Sequence, residues 1–292
     1  MEPSVLTDVV LPVSLAIIML GMGLSLTLDD FRRVVRFPKA AAIGLVNQLI
    51  LLPLIGYGVA IAFGLEPLLA VGLMLLAACP GGTTSNLISH VARGDLALSV
   101  TLTAISSTIT IFTIPMVVNW ALQHFAGEGQ VIRVPFVQTM AAVFGITALP
   151  VGIGMFIRSR NAIFADRLEQ PFRTASTVLF VVILLGIIAS NLDLLREHFP
   201  RLGPATFALN IITMLIGWGT AQLFGLNLAQ RIAVSIESGV QNGTLAIVVA
   251  TTILSVPETS LPGAIYGLVM FVSGGFMMWW FGRRGVAKPG AA

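Results

Sequence analysis

Apolar residues run along this chain in long blocks separated by short polar stretches, and the blocks have membrane length. Stretches of roughly 20 such residues fall at 9–27, 40–63, 67–92, 95–120, 134–157, 174–191, 204–225, 229–254 and 262–281. Each reads as a transmembrane helix, which predicts an all-α polytopic membrane protein of about nine spans.

Two of these blocks carry a polar break. Cys79-Pro80-Gly81-Gly82-Thr83-Thr84-Ser85-Asn86 interrupts the third, and Glu237-Ser238-Gly239-Val240-Gln241-Asn242 interrupts the eighth at a corresponding depth. Pro80, Gly81 and Gly82 remove a backbone donor and favour non-helical dihedrals. The amides and carbonyls so freed survive in a bilayer only where they line a cavity or bind something. Paired broken helices in two halves of a chain point to a transporter's binding site.

The two halves also match elsewhere. The second span ends Gly56-Tyr57-Gly58-Val59-Ala60-Ile61-Ala62-Phe63-Gly64-Leu65, and the seventh ends Gly217-Trp218-Gly219-Thr220-Ala221-Gln222-Leu223-Phe224-Gly225-Leu226. These copies precede the two breaks and run in opposite directions, so the expectation is an inverted repeat. It divides the chain into a first repeat at 1–120, a connector span and cytoplasmic loop at 121–173, and a second repeat at 174–292. Spans one to four would match spans six to nine.

Composition fixes the medium. Charged residues are 10% of the chain, hydrophobic residues 56%, and mean hydropathy is +0.95. That is far from a soluble domain. Of the 16 Lys and Arg, all but Arg133, Arg196 and Arg201 fall on one side of the expected spans. The bias puts the N-terminus outside and the C-terminus in the cytoplasm. The net charge of +3 comes from loop residues and gives no reason to expect a nucleic-acid partner; no obligate protein partner is expected either. Glu2 and Asp8, with no basic stretch beside them, argue against a cleaved signal peptide. Trp279 and Trp280 suit an interfacial belt or packing equally.

Glu237 sits deep in lipid by this reading, where a carboxylate costs at least ~2.5–3.5 kcal/mol and is rarely idle. Around it the breaks supply hard oxygen ligands: Ser85, Asn86, Gln48 and Gln241, with Ser99 and Thr103 on one face of the fourth span. Oxygen ligation without His or thiolate suits an alkali cation, and sodium is the natural candidate. The half-helices restarting near Thr83 and near Gln241-Asn242 present positive N-termini to a common crevice. No Lys or Arg lies inside a span, so an organic anion would be held by these dipoles with Thr83, Thr84 and Asn242. Gln48 has Asn47 beside it, and spacing alone allows either to face inward; Asn210 mirrors them in the second repeat, out of register.

Other residues read plainly. Cys79 is a packing residue rather than a metalloid site, His90, His124 and His198 are surface residues, and Arg93 with Asp95 forms a turn. No Walker A loop and no Ser-His-Asp or His-Glu-x-x-His pattern is present, so an ion gradient is the expected energy source and an enzyme is not expected. A proton-coupled antiporter using Glu237, or a non-transporting membrane sensor, are the alternatives.

Gly21-Met22-Gly23-Leu24-Ser25-Leu26, the first break, Ala92-Arg93-Gly94-Asp95-Leu96-Ala97-Leu98-Ser99 and the second break together resemble the bile acid:sodium symporter family. The resemblance covers essentially the whole chain. It implies core and panel domains in a bacterial plasma membrane, with the substrate between them and two sodium ions behind two crossing broken helices. Matched by residue, one ion would lie among Ser85, Asn86, Ser99, Thr103 and Glu237. The other would lie among Gln48, Glu237, Gln241 and the carbonyls of Ser238 and Val240. The substrate would meet Thr83, Thr84, Asn242 and Gly243. Two departures stand out. By this resemblance the chain would lack the first helix of ten-helix relatives, and Met270-Phe271 would take the place of a His-Asn pair in the last helix.

Overall fold

The computed structural model describes residues 9–127, 135–190 and 192–283. The readings that rest on Glu2, Asp8, Arg133, Arg284 and Lys288 lie outside the described residues. Within them the chain is helical, with a single isolated antiparallel bridge, Gly81 to Gln241. Six helices are long and apolar enough to cross a membrane, or seven if one bent pair counts as a span.

That pair opens the structure: α1 (Leu11–Ser25) and α2 (Leu28–Arg36) meet at 65°. A continuous helix follows, made of α3 (Pro38–Val46), a π-helical turn (Asn47–Leu51) and α4 (Leu52–Ala62). The first broken helix is α5 (Pro67–Ala78) with α6 (Thr83–Val91), and α7 (Leu96–Ala121) comes after it. Next are α8 (Phe136–Ile146), α9 (Ala148–Arg160), α10 (Ala162–Ser190) and α11 (Leu192–Leu223). The second broken helix is α12 (Leu228–Gly239) with α13 (Gly243–Val248), whose π-helical continuation ends at Ile253. The last helix is α14 (Leu261–Arg283).

Three charged stretches expected as loops are helices. Residues 28–36 form α2, started by a capping box in which the Thr27 N–H and hydroxyl both donate to Asp30 Oδ2, at 2.8 and 2.7 Å. Arg167 lies on α10, whose start is capped by the Asn161 side chain accepting from the Phe164 N–H at 3.0 Å. Arg196 and Arg201 lie on α11, which runs through Pro200 and Pro204. Capping and local charge pairs extend these helices past the apolar blocks, where hydropathy gives no signal. Arg93 is in the expected turn, at φ 60°, and Asp95 caps α7 by accepting from the Leu98 N–H at 3.0 Å.

The repeated Gly-rich ends have matching geometry. Gly64 and Gly225 take φ of 56° and 69°, a backbone that only glycine adopts cheaply. After each, a leucine N–H closes the turn: Leu65 on the Ala60 carbonyl at 3.0 Å, and Leu226 on the Ala221 carbonyl at 2.9 Å. Upstream, Gly56 faces Ala77 near the end of α5, and Gly217 faces Ser238 near the end of α12. In each half, the helix before the break therefore packs closely on the one that breaks.

Packing divides the helices. α1 lies against α9 and α10, so closely that a Cβ on Gly154 would stand 2.5 Å from the Leu20 carbonyl oxygen. The broken helices are enclosed instead by α4, α7, α11 and α14. This explains why α5 is apolar on all sides, with every residue from Leu69 to Ala78 buried. At the far end of α14, the Arg283 guanidinium lies 5.5 Å over the half-exposed Trp279 ring, which fits an interfacial position.

Candidate ion and substrate site

The two breaks cross as extended backbone. The Gly82 N–H donates to the Val240 carbonyl at 3.1 Å, and the Asn242 N–H donates to the Pro80 carbonyl at 2.9 Å. Each break therefore satisfies polar groups that the other exposes, which is what apolar surroundings demand. Gly81 is required at the crossing. A side chain there would run into the Glu237 carboxylate.

Glu237 is 1% exposed, and its two carboxylate oxygens accept three hydroxyl hydrogen bonds. Ser85 and Ser99 donate to Oε2 at 2.7 and 3.0 Å, and Thr103 donates to Oε1 at 2.5 Å. Ser99 is also 2.9 Å from Asn86 Oδ1, and Thr103 reaches the same oxygen at 3.5 Å. Ser85, Asn86, Ser99, Thr103 and Glu237 thus form one oxygen-lined cluster, built from α6, α7 and α12. Among the described residues no Lys, Arg or His pairs with the carboxylate.

The second group is adjacent but separate. Gln48 lies on the π-helical turn, a distortion often found at functional sites. Its Nε2 donates to the Cys79 carbonyl at 2.9 Å and to Gln241 Oε1 at 2.6 Å. Gln241 Nε2 donates in turn to the Ser238 carbonyl at 2.9 Å. Gln48, Gln241 and Ser238 are therefore together. Glu237 makes its hydrogen bonds to the first cluster, and the Val240 carbonyl accepts from the Gly82 N–H. Asn47 turns away and donates to Thr220 Oγ1 at 2.8 Å, which resolves which of the neighbouring amides faces the break.

Asn210 serves the second break much as Gln48 serves the first. Its Nδ2 donates to the Gly239 carbonyl, the last of α12, at 2.7 Å, and Tyr266 Oη donates to the same carbonyl at 2.8 Å.

A cavity of 340 Å³ opens beside the crossing, bounded by α1, α6, α10, α13 and α14. Thr83, Thr84, Asn242, Gly243, Met270 and Phe271 all line it. Asn242 is partly committed, since its Oδ1 accepts from the Leu245 N–H at 3.0 Å and caps α13. Phe271 rests on Phe180 of α10, with ring centroids 5.6 Å apart. Sequence reasoning missed the opposite wall: Glu169, Ser176, Thr177 and Phe180 of α10. His90, expected as a surface residue, is exposed and also lines the cavity. His124 stacks on Trp120 and His198 pairs with Glu66 at 3.3 Å, both away from it. Cys79 is buried, as packing requires.

Comparison with known proteins fits this geometry. The model of the Sodium Bile acid symporter family matches residues 12–198. A probable sodium/metabolite cotransporter of Arabidopsis thaliana chloroplasts, BASS1, is 32% identical over 256 residues, covering 87% of this chain and 62% of the relative. The uncharacterized sodium-dependent transporter YocS of Bacillus subtilis is 31% identical over 276 residues, covering 92% of this chain and 82% of YocS. The ileal sodium/bile acid cotransporter of Oryctolagus cuniculus is 28% identical over 251 residues, covering 83% and 69%. The chain spans under two thirds of the plant relative's length.

Proposed function

Because this chain belongs to the sodium bile acid symporter family, we propose that it is a secondary active transporter coupling sodium entry to uptake of an organic anion. The observation that carries this reading is Glu237, a buried carboxylate ringed by hydroxyls with no cationic side chain paired to it among the described residues. A buried charge needs a counter-charge. The donor set of carboxylate, hydroxyl and amide oxygens suits sodium, a hard ion and a transported one.

The first ion belongs with Ser85, Asn86, Ser99, Thr103 and Glu237. The second belongs with Gln48, Gln241 and the Ser238 and Val240 carbonyls, which must move to admit it: Gln48 and Gln241 bond each other and Val240 bonds Gly82. Sodium binding would draw the breaks into the arrangement that receives the anion. The anion takes the 340 Å³ cavity, its charge toward Thr83, Thr84 and the amide of Asn242. Phe180, Met270 and Phe271 offer its apolar part a surface. The size and mixed lining favour an amphipathic bile-acid-like anion or a small monocarboxylate.

Matching glycine turns and matching amide contacts at the two breaks support an inverted repeat of about nine spans, divided at 1–120, 121–173 and 174–292. The separate packing of α1, α9 and α10 supports a panel moving against a core. His90 and Glu169, which line the cavity, stand close to Arg93, Arg167 and Arg173 in the sequence. The reading therefore places the cavity mouth toward the cytoplasm, in an inward-open state of a plasma-membrane protein.

Binding of radioactive sodium to the purified protein tests the ion site without knowledge of the anion. Glu237→Ala is expected to weaken it at least ~100-fold, about 2.7 kcal/mol, and to abolish sodium-stimulated uptake in proteoliposomes. Unchanged sodium binding in a folded variant would sink the assignment.

A further inference from the structure

A second cavity lies behind α2, apart from the crossing. It measures 310 Å³ and is lined by Arg33, Arg36 and Phe37, by Asp95 and Leu98 at the start of α7, and by Gln230 in the first turn of α12. We infer that this cavity binds the phosphate headgroup of an anionic phospholipid, with α2 lying in the membrane surface as its outer wall.

The argument begins with α2. Arg33 and Arg36 are three residues apart and share a face. The helix leaves α1 at 65°, while Leu28, Val35 and Phe37 are 66%, 82% and 60% exposed. Leu28 and Val35 flank the exposed Arg32 on one face, with Arg36 beside them; a short helix that mixes bare apolar groups with arginines on its outer side lies along a bilayer surface rather than across it. Its position among the basic segments puts it on the side where anionic lipids gather.

The charges favour an anion. Arg36 makes no hydrogen bond or ion pair among the described residues, and Arg33 only a long one, 3.9 Å to Asp30. Asp95 opposes them, but its carboxylate already accepts from the Leu98 N–H. Two guanidinium groups against one committed carboxylate leave the cavity net cationic, and guanidinium geometry suits phosphate oxygens. A free phosphate would use only the arginines. A lipid also uses Val35 and Phe37 for its acyl chains, and so the occupant is a lipid.

The place has consequences for the ion site. The Asp95 N–H donates to the Ala229 carbonyl at 2.9 Å, and Gln230 caps α12 with Asn227. The cavity therefore abuts the joint between α7 and α12, the helices that carry Ser99, Thr103 and Glu237.

The test is native mass spectrometry of the detergent-purified chain with equimolar phosphatidylglycerol and phosphatidylcholine. Phosphatidylglycerol adducts should predominate, and Arg36→Gln should weaken them about fivefold, as loss of ~1 kcal/mol per arginine implies. Arg33→Gln with Arg36→Gln should approach ~25-fold on the same basis. Arg160→Gln, at the end of α9, should leave the adducts unchanged, and glycerol phosphate should not compete. Arg36 is exposed and unpaired, so its single variant decides the matter even if the double variant misfolds. Equal retention of the two lipids, insensitivity to Arg36→Gln, or displacement by glycerol phosphate would each overturn the proposal.

Discussion

At the first break Gln48 donates to the Cys79 carbonyl, and at the second Asn210 donates to the Gly239 carbonyl. In both, a side-chain amide from the preceding long helix satisfies the loose end of the interrupted one. Beyond that common scaffold the two regions diverge. Gln48 continues to Gln241 and into the ion region. Asn210 stops beside Tyr266, and its Oδ1 has no partner among the described residues. The first break contributes a hydroxyl and an amide, from Ser85 and Asn86, and the second a carboxylate and an amide, from Glu237 and Gln241. The scaffold is duplicated, whereas the chemistry is assembled once, from unlike parts. That asymmetry allows each half to be broken separately.

The largest effect after loss of Glu237 itself belongs to Gly81→Ala. The added methyl collides with the carboxylate, and overpacking of this kind costs ~1–3 kcal/mol. Sodium affinity should fall at least ~10-fold, equivalent to 1.4 kcal/mol. Gly82→Ala, whose methyl would meet the Gln241 carbonyl at 3.0 Å, should do less. If the two alanines proved equal in a sodium titration, the close approach of Gly81 to Glu237 would be irrelevant to binding.

The paired amides come next. Gln48→Ala should lower sodium affinity several-fold. Asn210→Ala should instead cost ~1 kcal/mol of stability, typical of one buried hydrogen bond, because Tyr266 still serves the Gly239 carbonyl. Thermal unfolding and sodium titration of both proteins separate the outcomes; an Asn210 variant with weakened sodium binding would erase the distinction drawn between the halves.

The smallest effects test the scaffold alone. Gly64→Ala and Gly225→Ala should each cost about 1–2 kcal/mol, the usual penalty for a side chain at positive φ. The two costs should be similar and leave sodium affinity untouched. A large difference between them in an unfolding assay would argue against equivalent turns.

Much of this was legible in the sequence because membrane interiors punish irregularity. A Pro-Gly-Gly run and a lone glutamate inside apolar blocks stand out, so the breaks and the Glu237 cluster were found from residue type. Helical spacing put Ser99 and Thr103 on one face, and the family resemblance put that face beside Glu237. What stayed hidden depends on chain segments with no pattern of their own. The α10 wall of the cavity reads as ordinary membrane helix, because Ser176, Thr177 and Phe180 meet the crossing only through tertiary packing. The charged helix α2 and the early starts of α10 and α11 fell below a hydropathy criterion that cannot tell a polar helix from a loop. That the Val240 carbonyl accepts from the Gly82 N–H is visible only in the crossing itself.

The crossing also dictates an order of assembly. Ser85 and Glu237 are 152 positions apart, and the Pro80 carbonyl and the Gly82 N–H find their partners in the second break. During synthesis the first half must enter the membrane with its break unmatched, at several kcal/mol for each stranded group. It must wait there until the second half arrives. Neither half is a complete folding unit, and a chain cut between them should recover only when both pieces are made in the same membrane.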